Sequence, residues 1–265
     1  MEKQKVVLKF GGSVIPDIQA INRVARTVHD LHFRANYDVV AVVVSAMGKT
    51  TNKLEEMARV VRPDPFRNRW DVLRETDALL ATGEMQTAAL VAEYLTGWCG
   101  VCVQSYNAFQ AQIYTDDNFG NAKILNIGDA VPNAVSKGII PVIAGFQGIT
   151  ENGDLTTLGR EGSDTTAVEF ALKLKADFCW FFKNGGGICD KNPVKYSDAK
   201  VLDFITYQKV LNYIDSRDGQ VLHKECVKRA KKTELPLFVS GMSPHYQDGT
   251  WIGSARWWHN RNKTR

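Results

Sequence analysis

The sequence of 265 residues predicts an α/β fold, in which helices surround a mostly parallel sheet. Strand-like and helix-like segments alternate along the chain, as they do in βαβ units. Residues 38–47, DVVAVVVSAM, form an apolar run typical of a parallel strand buried on both faces. Residues 142–146, VIAGF, lead through a polar loop into a helix with an apolar period, for which Ser163 is the predicted N-cap.

The first part of the chain predicts five strands and five helical stretches, broken near residue 63 by Pro63 and Pro65. The strands are 6–10, 38–47, 101–105, a short one near Ile124, and 139–146. The helical stretches are 18–36, 51–61, a region after Pro65, 87–95 and 128–136, and residues 106–119 are predicted as a loop.

The second part predicts a helix at 163–175, a strand at 177–183 and a glycine-rich loop. Helices at 207–213 and 220–232 and a strand at 235–241 follow. The sequence shows no internal repeat and no linker. We therefore expect one domain over residues 1–265, with two lobes that divide near residue 165.

Composition limits the function more than it identifies it. The formal net charge is +4 and the pI is near 8.7, which suits small anionic substrates and gives little reason to expect a nucleic-acid partner. The C-terminal end combines basic residues with Trp257 and Trp258, and we favour tryptophans packed on the body over a binding patch. Its basic residues are Arg256, Arg261, Lys263 and Arg265.

Neither a membrane span nor an oxidised compartment is expected. No apolar run approaches the ~20 residues that cross a bilayer, and the charged N-terminus is unlike a signal peptide. Five cysteines without framework spacing predict reduced thiols and a cytoplasmic protein. Cys99 and Cys102 form a CxxC motif, but no second pair completes a metal site, so we expect no redox or metal role.

Lys9, Gly11, Gly12 and Ser13 lie where a predicted strand ends and a helix begins. The two glycines allow the backbone to approach a ligand, and free N–H groups can hold phosphate oxygens. Lys9 would add a positive charge for a phosphoryl group in transit. A tight turn with a surface lysine explains the same segment equally well.

A second strand end carries Ser45 to Thr51, but it is not a P-loop. That motif needs a glycine five residues before Gly48, and Val43 stands there. The hydroxyl groups of Ser45, Thr50 and Thr51 instead point to the carboxyl edge of the sheet, where ligands bind in open α/β sheets.

Three further segments carry candidate site residues. Glu84 is predicted at a helix start, where it either complements the helix dipole or holds an ammonium group. Arg160 and Asp164 flank a helix N-terminus, where Arg160 suits a carboxylate ligand and Asp164 could order a nucleophile or a substrate amine; the alternative is a surface ion pair. Lys183 and the following Asn184 lead into three glycines, which indicate a nucleotide contact or a plain flexible loop.

Taken together, these segments resemble the catalytic domain of aspartate kinases in the amino acid kinase family. The resemblance rests on residue runs in the family's order, of which 145–167 is the most specific. The runs are KFGGS (9–13), VVVSAMGKTTNKL (42–54), TGE (82–84), GFQGITENGDLTTLGREGSDTTA (145–167), NP (192–193), SDAKVLDFITY (197–207) and VLH (221–223).

The resemblance implies a three-layer αβα sandwich with about eight strands. It implies an acceptor-binding lobe near 1–165, a nucleotide-binding lobe near 166–265, and transfer of phosphate from ATP with Mg²⁺ to the side-chain carboxylate of aspartate. Lys9 and Asp164 would be catalytic, and Thr51, Glu84, Arg160 and Ser163 would bind the amino acid. The nucleotide would contact Gly11, Gly12, Ser13, Lys183, Asn184 and Cys189, while no residue is assigned as a metal ligand.

The sequence also departs from the family. The usual segment TDVDGIYTADPR reads KNGGGICDKNPV at 183–194, with Asn184 for an acid, Cys189 for an aromatic residue and Val194 for an arginine. Gln220 replaces a common lysine. No ACT regulatory domain follows, so feedback control of that type is not expected, and any homodimer would need another surface. The alternatives are a non-catalytic amino-acid-binding protein and a kinase for a related acid or another acceptor.

Overall fold

The computed structural model describes residues 3–35, 37–61, 70–99, 102–215, 222–242 and 248–263. Within these ranges the strands are β1 Gln4–Phe10, β2 Tyr37–Val44, β3 Val103–Tyr106, β4 Ile113–Thr115, β5 Ile124–Ile127, β6 Ile140–Ala144, β7 Gln147–Ile149, β8 Leu155–Thr157, β9 Phe178–Phe182, β10 Phe204–Thr206, β11 Leu237–Ser240 and β12 Gly249–Gly253. The α-helices are α1 Gln19–His29, α2 Thr50–Val61, α3 Trp70–Cys99, α4 Ala108–Ala111, α5 Ala130–Ser136, α6 Gly162–Lys173, α7 Tyr207–Asp215, α8 Lys224–Thr233 and α9 Ala255–Lys263.

The larger sheet has eight strands in the order β10-β12-β11-β9-β1-β2-β6-β3, and all its pairs are parallel except β11 with β12. It confirms the predicted α/β sandwich with a mainly parallel sheet of about eight strands. The strand β1 lies at its centre, between β2 and β9. Chain segments that are far apart in sequence therefore meet along β1.

Helices cover both faces of this sheet. On one face, α6 and α8 pack on alternate residues such as Val7 and Phe181, and on the other face α1 and α3 pack on Leu8 and Trp180. Because side chains alternate along a strand, a strand covered on both faces must be apolar throughout. This explains why six consecutive residues of β2, from Val39 to Val44, are buried.

A second sheet of four short strands, β5-β4-β7-β8, was not predicted. Residues 106–119, predicted as a loop, contain α4 and β4, and the polar loop after β6 contains the hairpin β7–β8. Strands of three residues are too short for a period of two to appear in the sequence. The strands β10 and β12 were also missed.

Several predicted boundaries shift. The helix predicted at 18–36 is α1 followed by a π-helical turn over Asp30–Arg34, and the predicted stretch 87–95 belongs to the 30-residue helix α3. Pro63, Pro65, Gln220 and residues 100–101 of the CxxC segment, with the side chain of Cys99, lie outside what is described. The division into lobes near residue 165 stays a prediction, as does the homodimer.

The C-terminal tryptophans pack on the body, as predicted. Trp258 stacks on Phe204 with ring centroids 4.8 Å apart, and Trp257 lies against Trp251. The guanidinium group of Arg261 lies 3.9 Å from the ring centre of Trp251. Of the helices in the described ranges, none combines the length and apolar character needed to cross a membrane.

Candidate functional site

Three charged side chains meet at the carboxyl ends of β1 and β9. The Nζ of Lys9 lies 2.5 Å from Oδ1 of Asp164, and the Nζ of Lys183 lies 3.1 Å from Oδ2. The backbone N–H of His223 also donates to Oδ2, at 3.2 Å. Asp164 is 0% exposed, Lys9 3% and Lys183 18%. We call Lys9, Asp164 and Lys183 the charge cluster.

The electrostatics of the cluster favour an ionised carboxylate. Burial by itself would raise the pKa of Asp164, but the ammonium groups of Lys9 and Lys183 outweigh it and lower the pKa to about 2. Burial also opposes the charge of Lys183, but Asp164 outweighs it and the pKa of Lys183 rises. Burial lowers the pKa of Lys9, an effect that Asp164 counteracts. A single carboxylate therefore faces two ammonium groups.

Asp164 is placed by the first turn of α6, but not through the predicted cap. The helix begins at Gly162, its N-cap is Glu161 in a left-handed conformation with φ 61°, and no side chain caps it. The prediction of Ser163 as N-cap is wrong: Ser163 is buried inside the first turn. Its Cβ fills the space beside Gly145, where an added Cβ would approach it to 2.7 Å.

Glu84 does not lie at a helix start, as predicted, but midway along α3. No proline interrupts residues 70–99, so the helix can continue through this point. Glu84 is 3% exposed, and its Oε1 accepts the backbone N–H of Ala46 at 3.0 Å. Its Oε2 is buried without a hydrogen-bond partner among the described residues. Burial raises the pKa of Glu84 to about 7, although the charge of Lys9 acts in the opposite direction.

The glycines after β1 join two strand ends. A Cβ added to Gly12 would lie 2.5 Å from the carbonyl oxygen of Ala46, and the N–H of Gly48 donates to the carbonyl of Gly12 at 3.1 Å. Close packing of two corners thus requires a glycine at position 12. A Cβ on Gly11 would lie 3.5 Å from the Nζ of Lys9, an ordinary van der Waals distance, so Gly11 lies directly beside the ammonium group.

A cavity of about 710 Å³ opens beside the charge cluster. Four of the predicted nucleotide-binding residues line it: Ser13, Lys183, Asn184 and Cys189. The side chain of Asn184 donates to the carbonyl of Ser13 at 2.9 Å and so links the glycine-rich loop to the end of β1. The volume of this cavity is in the range of small-molecule sites. The structure therefore brings these four residues together around one space.

Thr51 and Arg160 stand apart from these contacts. Thr51 is half-buried in the first turn of α2, whose Thr50 methyl would lie 3.4 Å from a Cβ added to Gly83. The start of α2 is therefore close to Glu84. Arg160 is exposed, just before α6. The predicted alternative of an Arg160–Asp164 pair is wrong, because the described ion-pair partners of Asp164 are the two lysines.

Asp77 supports the segment that carries Arg160, and sequence reasoning missed it. Its carboxylate is 1% exposed and accepts from the N–H of Gly120 at 2.8 Å and from the N–H and hydroxyl of Thr157 at 2.7 and 2.8 Å. Thr157 comes three residues before Arg160. No local motif indicates Asp77, since its partners are 43 and 80 residues away.

Whether the cavity suits Mg²⁺ depends on the carboxylate side chains that line it. In the ranges described, no group of three or more His, Cys, Asp or Glu side chains is arranged to hold a metal ion. Mg²⁺ commonly binds through substrate phosphates, waters and one or two carboxylates. The cavity offers carboxylates at its wall, from Glu161 and Asp190, which suit that mode.

Comparisons with known proteins agree with this geometry. The sequence model of the amino acid kinase family matches residues 4–240. An aspartokinase of Bacillus sp. (strain MGA3) is 40% identical over 248 residues, which are 93% of this chain and 58% of the relative. The chain thus spans a little over half of that relative.

Solved structures give the same result. The aspartate kinase from Synechocystis superposes with a TM-score of 0.79 at 31% identity, covering 94% of this chain and 40% of that one. E. coli aspartokinase III in complex with aspartate and ADP superposes with a TM-score of 0.75 at 25% identity, covering 95% and 65%.

Proposed function

The chain belongs to the amino acid kinase family, and from that premise we propose that it uses ATP to phosphorylate the side-chain carboxylate of aspartate. The product would be an acyl phosphate. The similar aspartokinases support this reaction, and the structure in complex with aspartate and ADP supports the two substrates. The residues of the candidate site supply the chemistry.

The observation that carries the proposal is the Oε2 of Glu84, which has no hydrogen-bond partner among the described residues. A buried carboxylate oxygen without a hydrogen-bond donor is costly, and a ligand ammonium group would satisfy it. Lys9 is near enough to affect the pKa of Glu84. A ligand with an ammonium group at Glu84, a carboxylate towards Lys9 and a second carboxylate at Arg160 would have the charge pattern of an α-amino acid with an acidic side chain.

Arg160 would complete the acceptor site by holding the α-carboxylate, for which a guanidinium group is well shaped. Thr51 and Ser163 would line the same site. Arg160 is exposed just before α6, so its guanidinium group is accessible to a ligand. Asp77 would position the backbone of the preceding strand β8.

The chemical step needs no general base. The acceptor carboxylate is ionised at neutral pH, so one of its oxygens attacks the γ-phosphorus, the bond to the β-phosphate oxygen breaks, and ADP leaves. The low pKa of Asp164 fits this, because a carboxyl group with a pKa of about 2 does not accept a proton near pH 7. Asp164 would instead hold Lys9 towards the transferring group. Mg²⁺, when bound with ATP, would neutralise charge on the phosphates.

We place the nucleotide in the cavity of about 710 Å³, whose lining residues follow residue 165 except for Ser13 and Glu161. This supports the division into an acceptor lobe near 1–165 and a nucleotide lobe near 166–265. Gly11 and Gly12 would present the backbone to the phosphates, and Asn184 and Cys189 would form the wall of the cavity.

The test is ADP release from purified protein with ATP and Mg²⁺, with aspartate added or withheld and hydroxylamine present to trap an acyl phosphate. Aspartate-dependent ADP together with an equal amount of hydroxamate is the expected result. Glutamate, one methylene longer, serves as the matched control and should react more slowly. ADP release that no aspartate-like acid stimulates would refute the proposal.

One observation favours a second candidate, an aspartate-binding protein without kinase activity. The segment 183–194 differs from the family pattern, and Val194, in place of an arginine, is 93% exposed. Calorimetry separates the two candidates. Aspartate binding without any ADP binding would favour the second, whereas binding of both ligands would favour the kinase.

A further inference from the structure

Lys183 and Lys9 are brought to the same face of the sheet by strand register. Lys9 in β1 pairs with Phe181 in β9, and Lys183 comes two residues after Phe181. Side chains alternate along a strand, so Lys183 continues the face on which Lys9 and Phe181 lie. That face is covered by α6, which carries Asp164. Two ammonium groups therefore approach one carboxylate from adjacent strands.

The cluster sets two ammonium groups against one buried carboxylate, and Glu161, at the cavity wall, also acts on the charges of both lysines. Asp164 stays ionised, and its neighbour Lys183 stays protonated because Asp164 raises its pKa. An ammonium group that only balanced Asp164 would be redundant, since Lys9 already lies 2.5 Å from that carboxylate. The ammonium group of Lys183, which lines the cavity, is placed to meet an anionic ligand.

Lys183 is the member of the cluster that reaches the open space. It lines the cavity of about 710 Å³ and an adjoining one of about 420 Å³, both of which also contact Ser13 and Asn184. Lys9 lines neither. The ammonium group is also held in place, because Asp164 binds it and the backbone N–H of Lys183 donates to the carbonyl of Ser240 at 2.9 Å.

We propose that Lys183 is a second catalytic cation, which contacts the transferring phosphoryl group from the nucleotide side while Lys9 contacts it from the acceptor side. The inference rests on the proposed kinase function. Phosphoryl transfer proceeds by positioning and charge neutralisation, so a fixed ammonium group on each side of the phosphorus would lower the barrier. Lys183 would act on the transition state more than on nucleotide affinity.

The test compares Lys183→Met, which removes the charge and keeps most of the stem, with Lys183→Arg, which keeps a charge. Lys173→Met is the matched control, because Lys173 is also partly exposed and paired, with Asp129 at 2.8 Å, but at the far end of α6. We expect Lys183→Met to lower kcat about 10²- to 10³-fold. We expect partial recovery in Lys183→Arg and no change in Lys173→Met.

A binding measurement separates a catalytic from a structural role. Calorimetry with aspartate and Mg²⁺ would compare ADP alone with ADP plus aluminium fluoride, a mimic of the phosphoryl group in transit. Lys183→Met should leave the Kd for ADP within about threefold and lose most of the preference for the fluoride complex. An equal loss of both affinities, or a kcat within about threefold of the parent, would overturn the inference.

Failure of this inference is distinguishable from failure of the kinase proposal. If the parent protein releases no ADP, the proposed function fails. If the parent is active and Lys183→Met is equally active, only the role of Lys183 fails. Urea unfolding checks that the variant is folded. If Lys183→Met does not fold, the role of Lys183 is tested on Lys183→Arg instead, by comparing its affinity for ADP alone with its affinity for ADP plus aluminium fluoride.

Discussion

We expect Glu84 to lower the stability of the protein in the absence of the acceptor, although the same carboxylate would bind the acceptor's ammonium group. Its carboxylate is buried in α3, where one oxygen has no hydrogen-bond partner in the part of the chain that the structure describes, and burial raises its pKa from 4.5 to about 7. Between these two values the folded state keeps the proton on Glu84 and the unfolded state has released it. The folded state thus binds more protons, so the free energy of unfolding falls as the pH rises through this range and levels off above pH 7.

The size of the effect follows from that pKa. At about 1.4 kcal/mol for each pKa unit, the interval between 4.5 and about 7 corresponds to a loss of about 3 kcal/mol in the free energy of unfolding by pH 8. Glu84→Gln removes the titration and keeps an acceptor for the N–H of Ala46. The free energy of unfolding of the variant, minus that of the parent, should therefore increase by about 3 kcal/mol between pH 4.5 and pH 8.

Urea unfolding at the two pH values measures this difference, and Glu93→Gln is the control because Glu93 is exposed on the same helix. Any constant cost of burying the new amide cancels, since it is the same at both pH values. The variant should also bind aspartate about 10- to 100-fold more weakly, because it loses a charged hydrogen bond. A stability difference that does not change with pH would refute the buried charge as the cause.

Three further predictions concern the remaining site. Arg160→Ala should remove measurable aspartate binding and leave ADP affinity within a few fold by calorimetry; equal loss of both would contradict the division into two lobes. Lys9→Ala should lower kcat about 10²-fold or more with little change in aspartate affinity, and an unchanged rate would exclude Lys9 from the mechanism. Asp77→Asn should lower the free energy of unfolding by about 1–3 kcal/mol, because at least one of its buried donors loses a charged acceptor; a urea midpoint equal to the parent's would show that those bonds contribute nothing.

Much of the fold could be predicted because its signals are local. The apolar residues of β2 indicate that this strand is buried on both faces, and the glycines after β1 indicate a close approach of two backbone segments. Since ligands bind at the carboxyl edge of an open α/β sheet, the sequence also predicts that the hydroxyl groups of Ser45, Thr50 and Thr51 point to the edge that carries the site. The three-residue strands of the second sheet lack such a signal, because their pairing depends on partners elsewhere in the chain.

The sequence by itself determined the α/β architecture, the edge of the sheet that carries the site, and most of the residue types there. Only the tertiary structure decided how these residues act. Asp164 meets both lysines because β1, which contains Lys9, lies beside β9, which ends just before Lys183. The two lysines are separated by more than half of the chain. Glu84 faces Ala46 because α3 runs unbroken past the end of β2. Contacts between distant segments depend on the packing of the whole sheet, so they cannot be predicted from local sequence patterns.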